Sequence, residues 1–346
     1  MATPSYQLFC LGNPLLDMQV RDGESLLEKY DLKANDAILA EAKHTPIYDE
    51  VKANPEVTYI AGGAAQNAAR GAAYVLPAGS VVYAGCVGDD DLAEQLKIAN
   101  KREGLDEVYQ VKAGEKTGAC AVVITGHHRS LVTDLRAAEK FDQAHISSET
   151  VAPLIEGAKF FYVEGYFLTH GISSALELSS KAANAGKTFV LNLSAPFIPQ
   201  FFGNQLQQLL PHTDVVIGNE AEAEAWGSAN GLSDPKDLVS VAKAIAALPK
   251  TNASRPRTVV ITQGAQSTLV IVADKPDDAK LYAVNPLKDD EIVDTNGAGD
   301  AFAGGFVGAL VAGKTLDEAV EAGHKMGAIC VQQVGPQFKW PKVQIL

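Results

Sequence analysis

A chain of 346 residues with 47% apolar and 21% charged side chains can hold two ordinary domains, or one large α/β domain with an appendage, and its composition is that of a globular enzyme, with no indication of disorder. Its 29 Lys+Arg against 42 Asp+Glu give a net charge of -13, with no basic cluster to offset it, so nucleic acid is not an expected partner. Cys10, Cys86, Cys120 and Cys330 form no CxxC pair, and the opening segment has neither a basic start nor a long apolar run, so no zinc site, disulfide framework, secretion signal or membrane contact is expected and the cytoplasm is the expected compartment. Asn192-Leu193-Ser194 and Asn252-Ala253-Ser254 match the glycosylation sequon and are taken as chance matches.

In chain order, Leu8 to Leu11 is a β-rich apolar run, Ala37 to Glu41 and Val57 to Ile60 are extended, and Ala64 to Val75 has helical character. Val81 to Val87 and the helical stretch Leu92 to Glu103 follow, then two further extended segments, Cys120 to Thr125 and Ser130 to Leu135, around the polar turn Gly126-His127-His128-Arg129. The rest alternates: strands Phe160 to Glu164, Phe189 to Leu193, Val215 to Ile217 and Val259 to Thr262, and helices Ser173 to Ala185, Pro235 to Leu248, Ala298 to Ala312 and Thr315 to Gln333. Continuous apolar strands alternating with helices predict an α/β fold, a doubly wound, mostly parallel sheet flanked by helices, with functional residues at the strand C-terminal ends. The extended pairs read as hairpins of a small β lid. The expected division is 1–16, 62–116 and 138–346 for the large domain and 17–61 with 117–137 for the lid, hinged near Asp17, Gly62, Thr117 and Ala137.

The strongest chemical signal is Asp294-Thr295-Asn296-Gly297-Ala298-Gly299-Asp300-Ala301-Phe302. Its glycines let successive N–H groups converge at the start of an apolar helix, which makes an anion site, and Asp300 stands beside that site where it can accept a proton from an attacking hydroxyl. A helix cap with a plain turn is the competing reading. With the preceding Ile292-Val293, this segment resembles the C-terminal signature of the ribokinase-like carbohydrate and nucleoside kinases, in which this Asp is the catalytic base; no P-loop sequence GxxxxGK(S/T) occurs.

Gly12-Asn13-Pro14-Leu15-Leu16-Asp17, Ala61-Gly62-Gly63-Ala64-Ala65-Gln66-Asn67, Leu191-Asn192-Leu193-Ser194-Ala195-Pro196-Phe197 and Gly218-Asn219-Glu220-Ala221-Glu222 follow in the same order as in that family, most closely in its adenosine-phosphorylating branch. The resemblance runs from about Leu8 to Gly335. It implies transfer of the γ-phosphoryl group of ATP to the 5′-hydroxyl of adenosine in purine salvage, by a monomer that needs Mg²⁺. Asp300, Arg129, Gly297, Ala298 and Gly299 would carry the chemistry, with Arg129 brought onto the phosphoryl group by lid closure. Asn13, Asp17, Gly62, Gly63 and Asn67 would hold the ribose, and Leu39, Cys120, Leu131, Leu135, Phe167 and Phe197 the base. Asn219, Thr262, Gly264, Asn296, His324 and Ala328 would serve the nucleotide, with Asn219 and Glu222 reaching Mg²⁺ through water. Taken one by one, Asp17 also fits a surface turn, Gly62-Gly63 a tight connection, Asn219 and Glu222 a helix cap, Arg129 an exposed turn and His324 a packed helix residue. His127 and His128 read as solvent-facing turn residues. Ala37 stands where some members carry Gln, and Ala64-Ala65 where some carry Ser-Thr. The alternatives are a kinase of another nucleoside or of ribose on the same fold, and a catalytically silent nucleoside-binding regulator. A dinucleotide oxidoreductase is disfavoured, because the first strand leads to Gly-Asn-Pro and not to GxGxxG.

Overall fold

In the first strand, β1 (Leu8–Leu11), Phe9 and Leu11 turn to one face and Leu8 and Cys10 to the other, and all four are buried. A strand with two dry faces has to sit between two helical layers. The computed structural model, which describes residues 6–21, 23–33, 37–126 and 128–346, places it so. His127 and the side chain of Ala37 lie outside the described residues.

The remaining strands are β2 (Leu15–Arg21), β3 (Ala37–Leu39), β4 (Thr58–Gly62), β5 (Val81–Gly88), β6 (Asp106–Lys112), β7 (Ala119–Thr125), β8 (His128–Asp134), β9 (Phe160–Glu164), β10 (Thr188–Asn192), β11 (Val215–Asn219), β12 (Thr258–Gln263), β13 (Gln266–Val272) and β14 (Lys275–Tyr282). Among the described residues, nine form one sheet in the order β14-β13-β12-β11-β10-β9-β1-β5-β6, parallel from β12 to β6 and antiparallel at β13 and β14. Five form a second sheet in the order β3-β8-β7-β2-β4. One core lies on each face of the large sheet, around Phe161, Phe189 and Trp226 on one side and Tyr162, Phe306 and Met326 on the other. No described helix is long and apolar enough to cross a membrane.

One expectation needs correction. Ala37 to Glu41 and Val57 to Ile60 do not form a hairpin with each other: β3 pairs in parallel with β8, and β4 pairs antiparallel with β2. The hairpin around Gly126 is as read, β7 against β8. Strands β2, β6, β13 and β14 escape the periodicity reading. Strand β2 buries polar Asp17 and Gln19 among its apolar residues, while β6 and β14 are edge strands whose charged side chains protect an open edge and look loop-like in sequence.

Helix Ala64–Val75 and helix Ala298–Val311 lie one against the other through glycine: a Cβ on Gly304 would come within 2.4 Å of Ala68 O, and one on Gly71 within 3.3 Å of Gly304 Cα. Only missing side chains allow so short an approach. It brings the first turn of one helix beside the first turn of the other.

Candidate active site

A cavity of about 560 Å³ opens between the two sheets and collects most of the motif residues. Its wall includes Asn13, Asp17, Gly63, Asn67, Leu39, Cys120, Leu131, Leu135, Phe197, Asn219, Glu222, Asn296, Gly297, Ala298, Gly299 and Asp300, which come from every motif singled out above. A second cleft of about 580 Å³, between Gln19, Thr58, Ile98, Arg102 and Gln337, holds none of these residues.

Pairing register explains the small sheet's contribution. Asp17 is opposite Cys120, Cys120 is opposite Thr133 and Thr133 is opposite Leu39, so one row crosses four strands and all four residues line the cavity. At the end of β4, Gly63 has φ +88°, and a Cβ there would fall 2.1 Å from Asn13 O. Glycine is therefore required where the chain enters helix Ala64–Val75 beside the cavity.

Asp300 sits in the first turn of helix Ala298–Val311, which begins at Gly297 with φ +77°; a Cβ on Gly297 would meet Pro336 at 2.6 Å. Asn67 Nδ2 donates to Asp300 Oδ2 at 3.0 Å. Withdrawal from water pushes the Asp300 carboxyl up to about 7, against the hydrogen bond from Asn67 and the charge of Arg70. A carboxylate near 7 is poised to take a proton at neutral pH. Burial likewise pushes Asp17 up to about 7, against Arg70 and Arg129, and Glu222 to about 7. Asn13 Oδ1 is 2.9 Å from His170 Nε2, while Asn13 Nδ2 has no partner among the described residues. Burial holds His170 neutral, at about 4, and with Asn13 Oδ1 as the acceptor the ring donates through Nε2, which leaves Asn13 Nδ2 buried behind the wall.

Asn219 caps helix Glu220–Ala229 and shares a reciprocal capping box with Glu222. Glu222 Oε2 accepts from Asn219 N at 2.9 Å and Oε1 from Asn219 Nδ2 at 2.8 Å. The cap and the cavity lining are properties of the same residues.

Arg129 is not an exposed turn residue. Its Nε lies 2.7 Å from Asp294 Oδ1, so β8 of the small sheet is tied to the start of the glycine turn. Asp294 also accepts from Asn296 N at 3.0 Å and from Gly335 N at 2.6 Å, which fixes the turn from both sides.

Some expected residues stand elsewhere. Phe167 is fully buried in the core, with its ring 5.6 Å from Phe141 and 5.1 Å from His170, and does not line the cavity. Gly62 ends β4 behind Gly63, outside the lining. Thr262 is beside Asn219 in the β11–β12 register, Gly264 is in the following turn at φ +57°, His324 Nε2 is 2.8 Å from Thr268 Oγ1, and Ala328 lies in helix Leu316–Val331; none of the four lines the cavity. Sequence reasoning missed Glu164, Tyr166, Thr169, Thr133 and Ser194, all in the wall. Glu164 is pushed up to about 8 by burial, and its Oε2 accepts from Tyr166 N at 2.8 Å. Its position at the C-terminal end of β9 was the available signal.

A family model described as pfkB family carbohydrate kinase matches residues 24–343. An adenosine kinase of Schizophyllum commune is 69% identical over 342 residues, 99% of each chain, and one of Schizosaccharomyces pombe is 44% identical over 98% of each. Among solved structures, Anopheles gambiae adenosine kinase in complex with a di(adenosine) tetraphosphate superposes with a TM-score of 0.90 at 42% identity, covering 95% of this chain and 96% of that one. Schistosoma mansoni adenosine kinase, in complex with adenosine in an occluded loop conformation, gives 0.89 at 34% identity, covering 96% and 97%. With its fold, its glycine turn and nearly its whole length matched, the chain belongs to the pfkB family of carbohydrate kinases.

Proposed function

We propose that this chain transfers the γ-phosphoryl group of ATP to the 5′-hydroxyl of adenosine, giving AMP and ADP. The observation that carries the reading is Asp300, a desolvated carboxylate at a helix mouth, held by Asn67 and facing the same cavity as Asp17. The full-length similarity to adenosine kinases, 69% and 44% identical, supports adenosine as the acceptor.

In this reading Asp17 bridges the ribose hydroxyls, with Gly63, Asn67 and Asn13 beside it in the wall. Leu39, Cys120, Leu131, Leu135 and Phe197 give the base an apolar wall. Asp300 takes the 5′-hydroxyl proton as the new P–O bond forms and the bond to ADP breaks. The N–H groups of Gly297, Ala298 and Gly299 converge on the transferred oxygens at the positive end of the helix; Ala298 N has only a long bond, 3.3 Å, to Thr295 O. Arg129, carried by the small sheet, adds positive charge at the closed cleft, and the small sheet is the lid that excludes water.

Among the described residues no group of three or more His, Cys, Asp or Glu side chains is arranged to hold a metal ion. Each Glu222 oxygen accepts one hydrogen bond from Asn219 and keeps a lone pair, so the pair fits a Mg²⁺ held mainly by phosphates and water. When bound, Mg²⁺ neutralises phosphate charge. Asn219 and Glu222 would orient its waters. In this reading Asn296 in the wall, and Thr262, Gly264, His324 and Ala328 beyond it, serve the nucleotide.

The test is product analysis with ATP, Mg²⁺ and adenosine, inosine, guanosine or ribose at matched concentrations. AMP and ADP in equal amounts, with adenosine the fastest acceptor, is the expected result; a faster rate on ribose, or no turnover on any acceptor, would overturn it.

A further inference from the structure

Behind Asp300 lies a buried ion pair that no sequence motif points to. Arg70, on helix Ala64–Val75, and Glu103, the last residue of helix Asp91–Glu103, are 1% and 3% exposed. The guanidinium grips the carboxylate with two parallel bonds, Nε to Oε2 at 2.6 Å and Nη2 to Oε1 at 2.9 Å. The remaining terminal nitrogen, Nη1, turns the other way and donates to Ala61 O at 2.6 Å and to Asn67 Oδ1 at 3.1 Å. Once Asn67 Oδ1 is committed to Arg70, the amide can present only its Nδ2 hydrogens to Asp300, which it does at 3.0 Å.

We propose that Arg70, anchored by Glu103, is a positioning residue for phosphoryl transfer: it fixes the rotation of the Asn67 amide and holds a buried cation behind the Asp300 carboxylate. The proposal rests on Asp300 being the base. A buried pair contributes little net stability compared with apolar side chains of the same volume, so stability alone does not account for its presence next to the cleft.

The electrostatic setting gives the cation a task. The carboxyls of Asp17, Glu164 and Glu222, the phenols of Tyr162 and Tyr166 and the thiol of Cys330 all face Asp300 electrostatically. Each anion among them opposes its ionisation. Asn67 and Arg70 act in the opposite sense, and Arg70 does the same for Asp17; Arg129 faces Asp17 from the lid and is tied to Asp294. Glu103 stands on the far side of the guanidinium, so the pair presents its positive end to the site.

The experiment compares the double variant Arg70→Met/Glu103→Leu, which leaves no unpaired buried charge, with Arg70→Lys and with Asp300→Asn, using ATP, Mg²⁺ and adenosine from pH 5.5 to 9.5. The double variant, folded by circular dichroism, is expected to lose about 10- to 100-fold in kcat at pH 7. Its acid limb should move up by about half a unit or more, because without the cation the carboxylate ionises at higher pH. Arg70→Lys keeps the charge and should keep the limb in place. A folded double variant whose limb does not move overturns the proposal, whether or not kcat falls, since a purely structural role predicts a uniform loss at every pH. Failure of the double variant to fold passes the test to Arg70→Lys with Glu103→Gln: there the limb should shift down, the anion being gone, and an unmoved limb counts against the proposal. If Asp300→Asn turns over normally, it is the underlying assignment of the base that fails.

Discussion

The two sheets bring different kinds of side chain to one cleft. From the ends of the large sheet come Asn13, Glu164, Asn219 and Glu222, joined by Asp300 at the mouth of its helix: amides and carboxylates on elements buried on both faces. From the small sheet come Leu39, Cys120 and Leu131, with one carboxylate, Asp17; its guanidinium, Arg129, stands outside the wall, tied to Asp294 at the start of the glycine turn. Proton transfer needs groups held rigidly, whereas nucleoside recognition and water exclusion tolerate a part that moves. The comparison predicts that damage to the large-sheet side lowers kcat and damage to the small-sheet side raises KM, with Arg129 as the one residue to cross that line.

Asp300→Asn is the most severe way to break it. Turnover should fall on the order of 10³-fold or more while adenosine still binds, measured by steady-state kinetics and calorimetric titration. The same change sharpens the point thermodynamically. A carboxyl at about 7 in the fold and near the ordinary aspartate value when unfolded costs stability once the pH exceeds the unfolded value, and the cost is complete above about 7. The variant should therefore melt no lower than the parent at pH 8, and higher there relative to the parent than at pH 4. In the parent, kcat should rise with pH through about 7, as the base ionises.

Arg129→Gln comes next, with kcat expected about 100-fold lower. Asp294 loses its 2.7 Å partner at the same time, so the small sheet is no longer tied to the glycine turn and KM for adenosine should rise as well. A change in KM alone would make Arg129 a closing contact only, and the comparison would lose its exception.

The difference between the sheets also decided what could be read from sequence. Central strands of the large sheet are apolar on both faces, and Leu8 to Leu11 and Phe160 to Glu164 coincide with β1 and β9. Apart from the local β7–β8 hairpin, small-sheet pairings were not legible, because β2 lies parallel to β7 about a hundred residues away and no local pattern encodes that register. At the site, short motifs with fixed spacing brought out Asp300, Asn67, Asn219 and Glu222. Glu164 and Arg70 carry no such spacing. Glu103 is 33 positions from Arg70, and only helix packing makes them neighbours.

Leu131→Ala tests the small-sheet side directly. Removing that side chain from the base wall should raise KM for adenosine about tenfold and leave kcat within about twofold, since one apolar contact contributes about 1–3 kcal/mol to discrimination. An equal fall in kcat would mean that the wall also positions the ribose.

The smallest effect is the most discriminating. Phe167 and Phe197 were both expected against the base, yet Phe197 lines the cavity, 5.8 Å from the Tyr166 ring, and Phe167 is fully buried. A Cβ on Gly171 would touch the Phe167 ring at 2.3 Å, so the ring is enclosed by its own helix connection as well as by Phe141 and His170. Phe197→Leu should therefore raise KM several-fold at little cost in stability. Phe167→Leu should cost about 1–2 kcal/mol in urea denaturation, as expected for a small void in a packed core, and change KM by less than about twofold. Its ring touches His170, whose Nε2 holds the Asn13 amide, and that hydrogen bond survives the loss of a neighbouring ring. If Phe167→Leu raised KM more than Phe197→Leu, the base would have to enter the core of the large domain, and the small sheet would no longer be its wall.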